Sequence, residues 1–249
     1  MNSTEIQPVI DHPALYIQKK QIMVIADLHI GIESELHEYG VNVELQTKKM
    51  TERVTQLCDE YKPKKIVIVG DVKHNIPSST FLERNDVKDF LHSIKNLSEI
   101  DIVVGNHDGN IKKLVPNEIN VHPSTGFTEG DVGFIHGHCW PSKKVMQKDT
   151  LVMAHTHPTI RLTDRRGFKK YEPCWLKTHI VKNEIMDEKY PSLPGKSELV
   201  VTPAFNPLCG GIAVNQEGIV GPIGRISDIG NADVYLLDGS SLGKVKNIQ

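Results

Sequence analysis

Ile66-Val67-Ile68-Val69-Gly70-Asp71-Val72-Lys73-His74 runs four β-branched apolar residues straight into a glycine and a carboxylate, with an imidazole three positions on. Such a short apolar run bounded by a turn residue predicts a buried strand. Gly70 lets the backbone pass close to a ligand, and the carboxylate of Asp71 has the oxygens to bridge two cations. The same grammar recurs on both sides. Gln21 to Ala26 is an apolar run stopped by Asp27-Leu28-His29, and Ile100 to Val104 ends at Gly105-Asn106-His107-Asp108. Further on, Val132 to Ile135 leads into His136-Gly137-His138, and Thr150 to Ala154 into His155-Thr156-His157.

Helical spacing fills the intervals. Leu45, Met50, Val54, Leu57 and Cys58 recur with helical period between Glu44 and Tyr61, and Pro63 ends that helix. Val87, Phe90, Leu91 and Ile94 do the same between Asp86 and Lys95, while Leu15-Tyr16-Ile17 is placed to pair as a hairpin with the first strand. Strand, helix, strand, helix, strand predicts right-handed crossovers and a parallel sheet, with polar groups presented at the carboxyl ends of the strands. Beyond residue 120 the pattern turns to short β-rich runs, including Glu198 to Thr202 and Asp233 to Leu237, the last followed by the turn pair Asp238-Gly239. No repeat or linker divides the chain. The expectation is one α/β domain over residues 1–249, two stacked mixed sheets flanked by helices, with the polar clusters along one shared edge.

Composition narrows the partners. Lys+Arg of 29 against Asp+Glu of 31 gives a net charge of -2, so no global basic field draws the chain to nucleic acid, and any such contact needs a local patch. Cys58, Cys139, Cys174 and Cys209 form no C-x-x-C pair, which argues against a zinc ribbon or a thioredoxin-like motif and suits a reducing cytosol. Met1 is followed by polar residues, and no apolar run approaches the roughly 18 residues of a membrane span. A cytoplasmic protein without membrane contact is expected.

Each cluster alone admits an ordinary reading: Asp27 and His29 a loop cap with a surface histidine, Gly105 to Asp108 an Asx turn. Four histidines on two successive strand ends are harder to explain without metal. Oxygen and imidazole donors gathered at several strand ends can hold two cations side by side, an arrangement that clamps the attacking and leaving oxygens of a phosphoryl displacement.

Taken together, D-x-H, G-D-x-x-H, G-N-H-D, a histidine before glycine, and a final H-x-H resemble the calcineurin-like metallophosphoesterase superfamily over Asp27 to His157. Gly70 to His74, with Ala154 where glycine is usual, looks like its branch of small archaeal and bacterial phosphoesterases, related to SbcD-type nucleases and DNA-ligase-associated members. The resemblance implies a four-layer αββα sandwich with the metal site at the carboxyl-end edge. It also implies metal one on Asp27, His29, Asp71 and His157, and metal two on Asp71, Asn106, His136 and His155, with Asp71 shared. His107 matches the family's catalytic histidine, with Asp108 as its orienting partner, and His74 and His138 fall outside the usual ligand set. The implied chemistry is attack on phosphorus by metal-bound hydroxide with His107 as general acid. Manganese is the expected ion, with iron, zinc or nickel as alternatives.

The substrate is less legible. Arg161, Arg165, Arg166, Lys169 and Lys170 form the densest basic stretch, interleaved with Phe168, Tyr171 and Trp175, which fits either a nucleic-acid grip or a solvated hairpin diluted by Asp164 and Glu172. Pro203 to Pro207 and Gly210-Gly211 resemble a late loop that approaches the active-site edge, with no chemistry assigned. A phosphodiesterase on nucleotides or nucleic acid leads. The alternatives are a phosphomonoesterase on a small metabolite, a nucleic-acid-binding repair accessory with a secondary metal site, and a non-catalytic metallo-scaffold. Nuclease relatives commonly dimerise, so a homodimer is a further expectation.

Overall fold

A computed structural model describes residues 6–77 and 79–248. The first sheet is built from β1 (Ile6–Pro8), β2 (Leu15–Ile17), β3 (Ile22–Ile25), β4 (Lys65–Val69), β5 (Glu99–Val103) and β6 (Asn120–His122), side by side in that order. Between its strands run α1 (Ile32–Glu38), α2 (Gln46–Tyr61) and α3 (Phe81–Ile94). β3 to β6 are parallel, and β1 and β2 add antiparallel at the edge, with Leu15 opposite Val24 as the hairpin reading requires.

The second sheet follows: β7 (Phe127–Glu129), β8 (Val132–Ile135), β9 (Thr150–Met153), β10 (Pro158–Thr163), β11 (Lys169–His179), β12 (Glu198–Val201), β13 (Ile212–Ala213), β14 (Asp233–Leu236) and β15 (Ser241–Lys244). Its short helices are α4 (Lys143–Met146), α5 (Glu184–Lys189) and α6 (Val214–Glu217). β8, β9 and β12 run parallel side by side, β13 adds parallel to β10, and the remaining pairings are antiparallel.

Strand alternation sorts the apolar residues into three layers. Met23, Ile25, Ile66, Ile68, Ile100 and Ile102 pack on Met50, Val54, Leu57, Val87, Phe90 and Leu91 of α2 and α3. The opposite faces of the same strands put Val24, Val67, Val69 and Val103 against Val132, Phe134, Val152 and Trp175 of the second sheet. Beyond that sheet, Leu151 and Met153 meet Val145 of α4, Met186 of α5 and Val214 of α6. The order helix, sheet, sheet, helix is the expected sandwich of two mixed sheets. Among the described residues no helix is long and apolar enough to cross a membrane.

Helix limits differ from the periodicity in two places. α3 begins at Phe81 rather than near Asp86, because Thr80 caps it by accepting from Glu83 N at 3.1 Å. α1 has no apolar stripe to announce it. It starts at Gly31 (φ 101°) without a side-chain cap and buries only Ile32 and Glu33, the latter accepting from Gln46 N at 2.6 Å.

One charged group interrupts the apolar seam between the sheets. Asp101 of β5 is buried there and bonds the Lys65 ammonium at 2.9 Å, and the same ammonium reaches Glu129 of β7 at 2.9 Å, so the pair ties one sheet to the other. His122 holds the second Asp101 oxygen. Removing one partner of a buried ion pair leaves the other desolvated without its counter-charge. Lys65→Met is therefore expected to destabilise the protein by about 3 kcal/mol, read from urea unfolding midpoints, and a second change Asp101→Leu should recover part of that loss. An unchanged midpoint in Lys65→Met would show the network to be effectively solvated.

Candidate metal centre

All five motifs leave the sheets at the carboxyl ends of parallel strands: Asp27 after β3, Asp71 after β4, Asn106 after β5, His136 after β8 and His155 after β9. The chain breaks out of its pleat by entering the left-handed region, with φ of 53° at Asp27, 40° at His29, 50° at Asp71, 69° at His155 and 44° at His157. Residues with a Cβ visit this region at a cost of about 1–3 kcal/mol, and such outliers gather where function over-determines the backbone. The turns are held by continued pairing, Asp27 N to Gly70 O at 3.1 Å, His29 N to Asp71 O at 2.8 Å and Ala154 N to His136 O at 3.1 Å.

Two glycines have no substitute. A Cβ on Gly70 would lie 2.3 Å from His136 Nδ1, and one on Gly105 would lie 2.1 Å from Asp71 Oδ1.

Asp71 stands at the middle. Its Oδ2 lies 3.5 Å from His29 Nε2 and 3.2 Å from His136 Nε2, while Oδ1 accepts the His107 backbone N–H at 2.8 Å. On one side, Asp27, His29 and Asp71 offer donor atoms all within 4.8 Å of one another; on the other, Asp71, His136 and His155 do the same. Asn106 Oδ1 reaches His136 Nε2 at 3.1 Å, and His157 Nε2 lies 3.5 Å from Asp27 Oδ1 and 3.4 Å from His29 Nε2. All seven residues expected as ligands thus surround one space, and Asp27, Asp71 and His136 have almost no exposure.

The imidazoles are oriented from behind. His136 Nδ1 donates to Val69 O at 3.0 Å and His157 Nδ1 to Gly210 O at 2.9 Å, because a carbonyl can only accept, and each bond turns Nε2 toward the space. His29 and His157 therefore present nitrogen to nitrogen, and buried Asp27 Oδ1 has no hydrogen-bond partner. Crowded ring nitrogens beside a buried carboxylate oxygen without a hydrogen bond are what a cation placed between them would satisfy. The donor set fits divalent metal, and its mix of nitrogen and oxygen suits manganese, iron or zinc.

Protonation follows the same geometry. Burial drives His29 down to about 3 against the pull of Asp71 and Asp27, and burial with the nearby His136 drives His155 down to about 4. Burial opposes charge on His136 too, yet Asp71 and Asp27 outweigh it and push that ring up to about 9. Burial would raise Asp71, but its bond and attraction to His136, with His29 and the His107 N–H, hold it well below the usual carboxylate range.

His107 and Asp108 divide differently from expectation. The His107 ring is fixed by Nδ1 donating to the His74 carbonyl, and it stands edge-on to His29 with centroids 4.7 Å apart. Asp108 does not reach that ring. Its oxygens accept from Val72 N at 2.9 Å, Lys73 N at 3.3 Å and Gly105 N at 2.9 Å, stapling the turn after β5 to the turn after β4. Asp108 can position His107 only through the backbone between them. Burial and the charge of Asp71 push its carboxyl up to about 6.

Other neighbours lie outside the motifs. His74 Nδ1 sits 3.1 Å from His29 Nδ1 and its Nε2 pairs with Glu35, whereas His138 only borders the site, 5.2 Å from His136 by ring centroids. Asn206 donates to Leu28 O at 2.8 Å, and Cys209 Sγ joins ring nitrogens of His29 and His157 within 4.8 Å. The loop carrying Asn206 and Cys209 approaches this edge, as its sequence suggests. Nothing in the spacing of Glu35, Asn206 or Cys209 points to a role for them.

A family model described as calcineurin-like phosphoesterase matches residues 20–185, well over half of the chain. Among solved structures, the nuclease MPE of Pseudomonas putida is similar with a TM-score of 0.55 and 18% identity, covering 94% of this chain and 98% of that one. The phosphoesterase Yfce from E. coli matches with a TM-score of 0.40 and 17% identity over 90% and 97%, too loose a likeness to carry an argument. The first likeness shows a shared fold. With the family match and the site's donor set in agreement, the chain belongs to the calcineurin-like phosphoesterases, metal-dependent hydrolases of phosphoesters.

Proposed function

We propose that this protein is a binuclear phosphodiesterase acting on nucleotides or nucleic acid, working as one domain with manganese as the simplest occupant of its centre. One observation carries the binuclear reading. A single oxygen of Asp71 faces His29 Nε2 at 3.5 Å and His136 Nε2 at 3.2 Å, each ring belonging to a different group of donors. Asp27, His29, Asp71 and His157 would hold one cation, and Asp71, Asn106, His136 and His155 the other. Two cations so held lower the pKa of a water and neutralise charge on phosphoryl oxygens.

The chain's own groups do the rest. Because His107 Nδ1 is committed to the His74 carbonyl, Nε2 is the atom left to pass a proton to the departing oxygen. The half-buried ring can meet a bound ester without leaving its contact with His29.

A cleft lined by His157, Thr159, Tyr171, Pro173, Asn206 and Gly211 leads from the centre to the β10–β11 hairpin. The hairpin turn, closed by Asp164 accepting from Phe168 N at 2.9 Å, exposes Arg165, Arg166, Phe168, Lys169 and Tyr171 together. Cations beside aromatic faces suit a phosphate backbone with stackable bases, which favours nucleotide substrates over small phosphomonoesters. The deciding assay gives the manganese-loaded protein a chromogenic diester, a monoester, cyclic nucleotides, and single- and double-stranded DNA in parallel. Preference for the monoester would overturn the diester reading, and salt-sensitive DNA binding without hydrolysis would favour an accessory role.

Three outcomes test the assignments. His107→Ala should keep its metal, by elemental analysis, while turnover falls by roughly 10²–10⁴; full activity would remove His107 from the reaction. Asp71→Ala should lose both ions, since it serves both groups. For pH, the raised His136 makes the metal-free protein bind an extra proton. The stability this contributes is fully present below the ordinary value of 6.5 and lost as pH rises through about 9. Metal must displace that proton, so apparent manganese affinity should strengthen by about tenfold per pH unit between neutral pH and that limit. Calorimetry showing pH-independent affinity would contradict it.

A further inference from the structure

Cys209 lies in the loop between β12 and β13, yet its Sγ stands with ring nitrogens of His29 and His157 in a group whose atoms all lie within 4.8 Å of one another. The loop is tied to both motifs that supply those rings. Phe205 N donates to Ala26 O at 2.8 Å, the buried Asn206 donates Nδ2 to Leu28 O at 2.8 Å, and Cys209 N donates to Asn206 O at 3.1 Å. On its other side Gly210 O receives His157 Nδ1 at 2.9 Å, and Ile212 N donates to His157 O at 3.3 Å. The sulfur is thus held by backbone fixed on either flank.

A second observation points to the same place. Asp27 Oδ1, on a side chain with no exposure, has no hydrogen-bond partner and lies 3.5 Å from the Nε2 of that same His157. The remaining contact of Cys209 Sγ is a long one, 3.7 Å to Asp27 O. Buried cysteines that merely fill space look different: Cys58 and Cys174 sit inside apolar clusters.

We propose that Cys209 is a thiolate ligand of the cation held by Asp27, His29 and His157, giving this position a soft donor through which it holds thiophilic ions such as zinc, cobalt or iron(II) more tightly than the neighbouring position does. This rests on the reading of the site as a metal centre. On binding, the S–H bond breaks, its proton passes to solvent, and a sulfur–metal bond forms without any change of oxidation state. The neighbouring cation position, with Asp71, Asn106, His136 and His155, has no sulfur, so the two positions differ in softness and can be loaded with different ions.

The test is titration of the metal-free protein with Co2+, followed by absorption. Visible d–d bands report cobalt in the protein's donor set, and a near-ultraviolet sulfur-to-cobalt charge-transfer band reports thiolate ligation. Both bands are expected in the unaltered protein. In Cys209→Ser and Cys209→Ala the charge-transfer band should vanish while the d–d bands remain, and in Cys139→Ser it should persist. The same Cys209 variants should lose on the order of tenfold in Cd2+ affinity relative to Mn2+. The unaltered protein is decisive even if a variant folds poorly: d–d bands without charge transfer overturn the role of Cys209 and leave the metal centre standing. No bands at all would overturn the metal reading and the proposal together, and a charge-transfer band surviving in both Cys209 variants would overturn the proposal alone.

Discussion

Two carboxylates, Asp27 and Asp71, are withdrawn from water between the two sheets, and most of the local structure answers the cost of putting them there. A buried ionised carboxylate is tolerated only beside counter-charge and hydrogen-bond donors. Asp71 meets this with His136, His29 and the His107 N–H, whereas Asp27 receives the His155 N–H at 3.3 Å on one oxygen and leaves the other orphaned. The imidazoles crowd the same space; burial strips the charge from His29 and His155, so without metal the counter-charge rests on a proton held by His136. A bound divalent metal would take over that balance.

Geometry is set by backbone strain rather than by side-chain reach. Asp27, His29, Asp71, His155 and His157 all sit at positive φ, where a strand cannot continue and the side chain swings toward the gap between the sheets. The packed seam below, Val67 and Val69 against Phe134 and Val152, keeps the strand ends from relaxing. Strain at the edge is offset by packing in the layers beneath it.

Legibility in the sequence divides along the same line. β3, β4 and β5 are readable because each is a dense apolar run, and the motifs are readable because a polar cluster directly after such a run has few structural uses. α1 is not readable, since it buries only Ile32 and Glu33 and is held by a distant Gln46 N–H. The early start of α3 is carried by Thr80 and Glu83, a capping signal easily overlooked beside the stronger apolar stripe. Asn206 and Cys209 reach Asp27 and Leu28 across more than 170 residues, and only topology brings them together.

His74 joins two functions that the motifs present as separate. His29 turns Nε2 toward Asp71 and its Nδ1 lies 3.1 Å from His74 Nδ1, while His74 Nε2 donates to Glu35. The carbonyl of His74 meanwhile fixes His107 Nδ1, and its backbone N–H is anchored on Glu83 at 2.7 Å. One residue therefore orients the His29 ring beside Asp71 and, through its main chain, the His107 ring to which we assign proton transfer. A side-chain change at His74 would release the first while leaving the second in place, because the carbonyl survives any substitution. The separation matters for reading variants: loss of metal with His107 still seated marks the ring of His74, and loss of proton transfer with metal retained marks His107 itself.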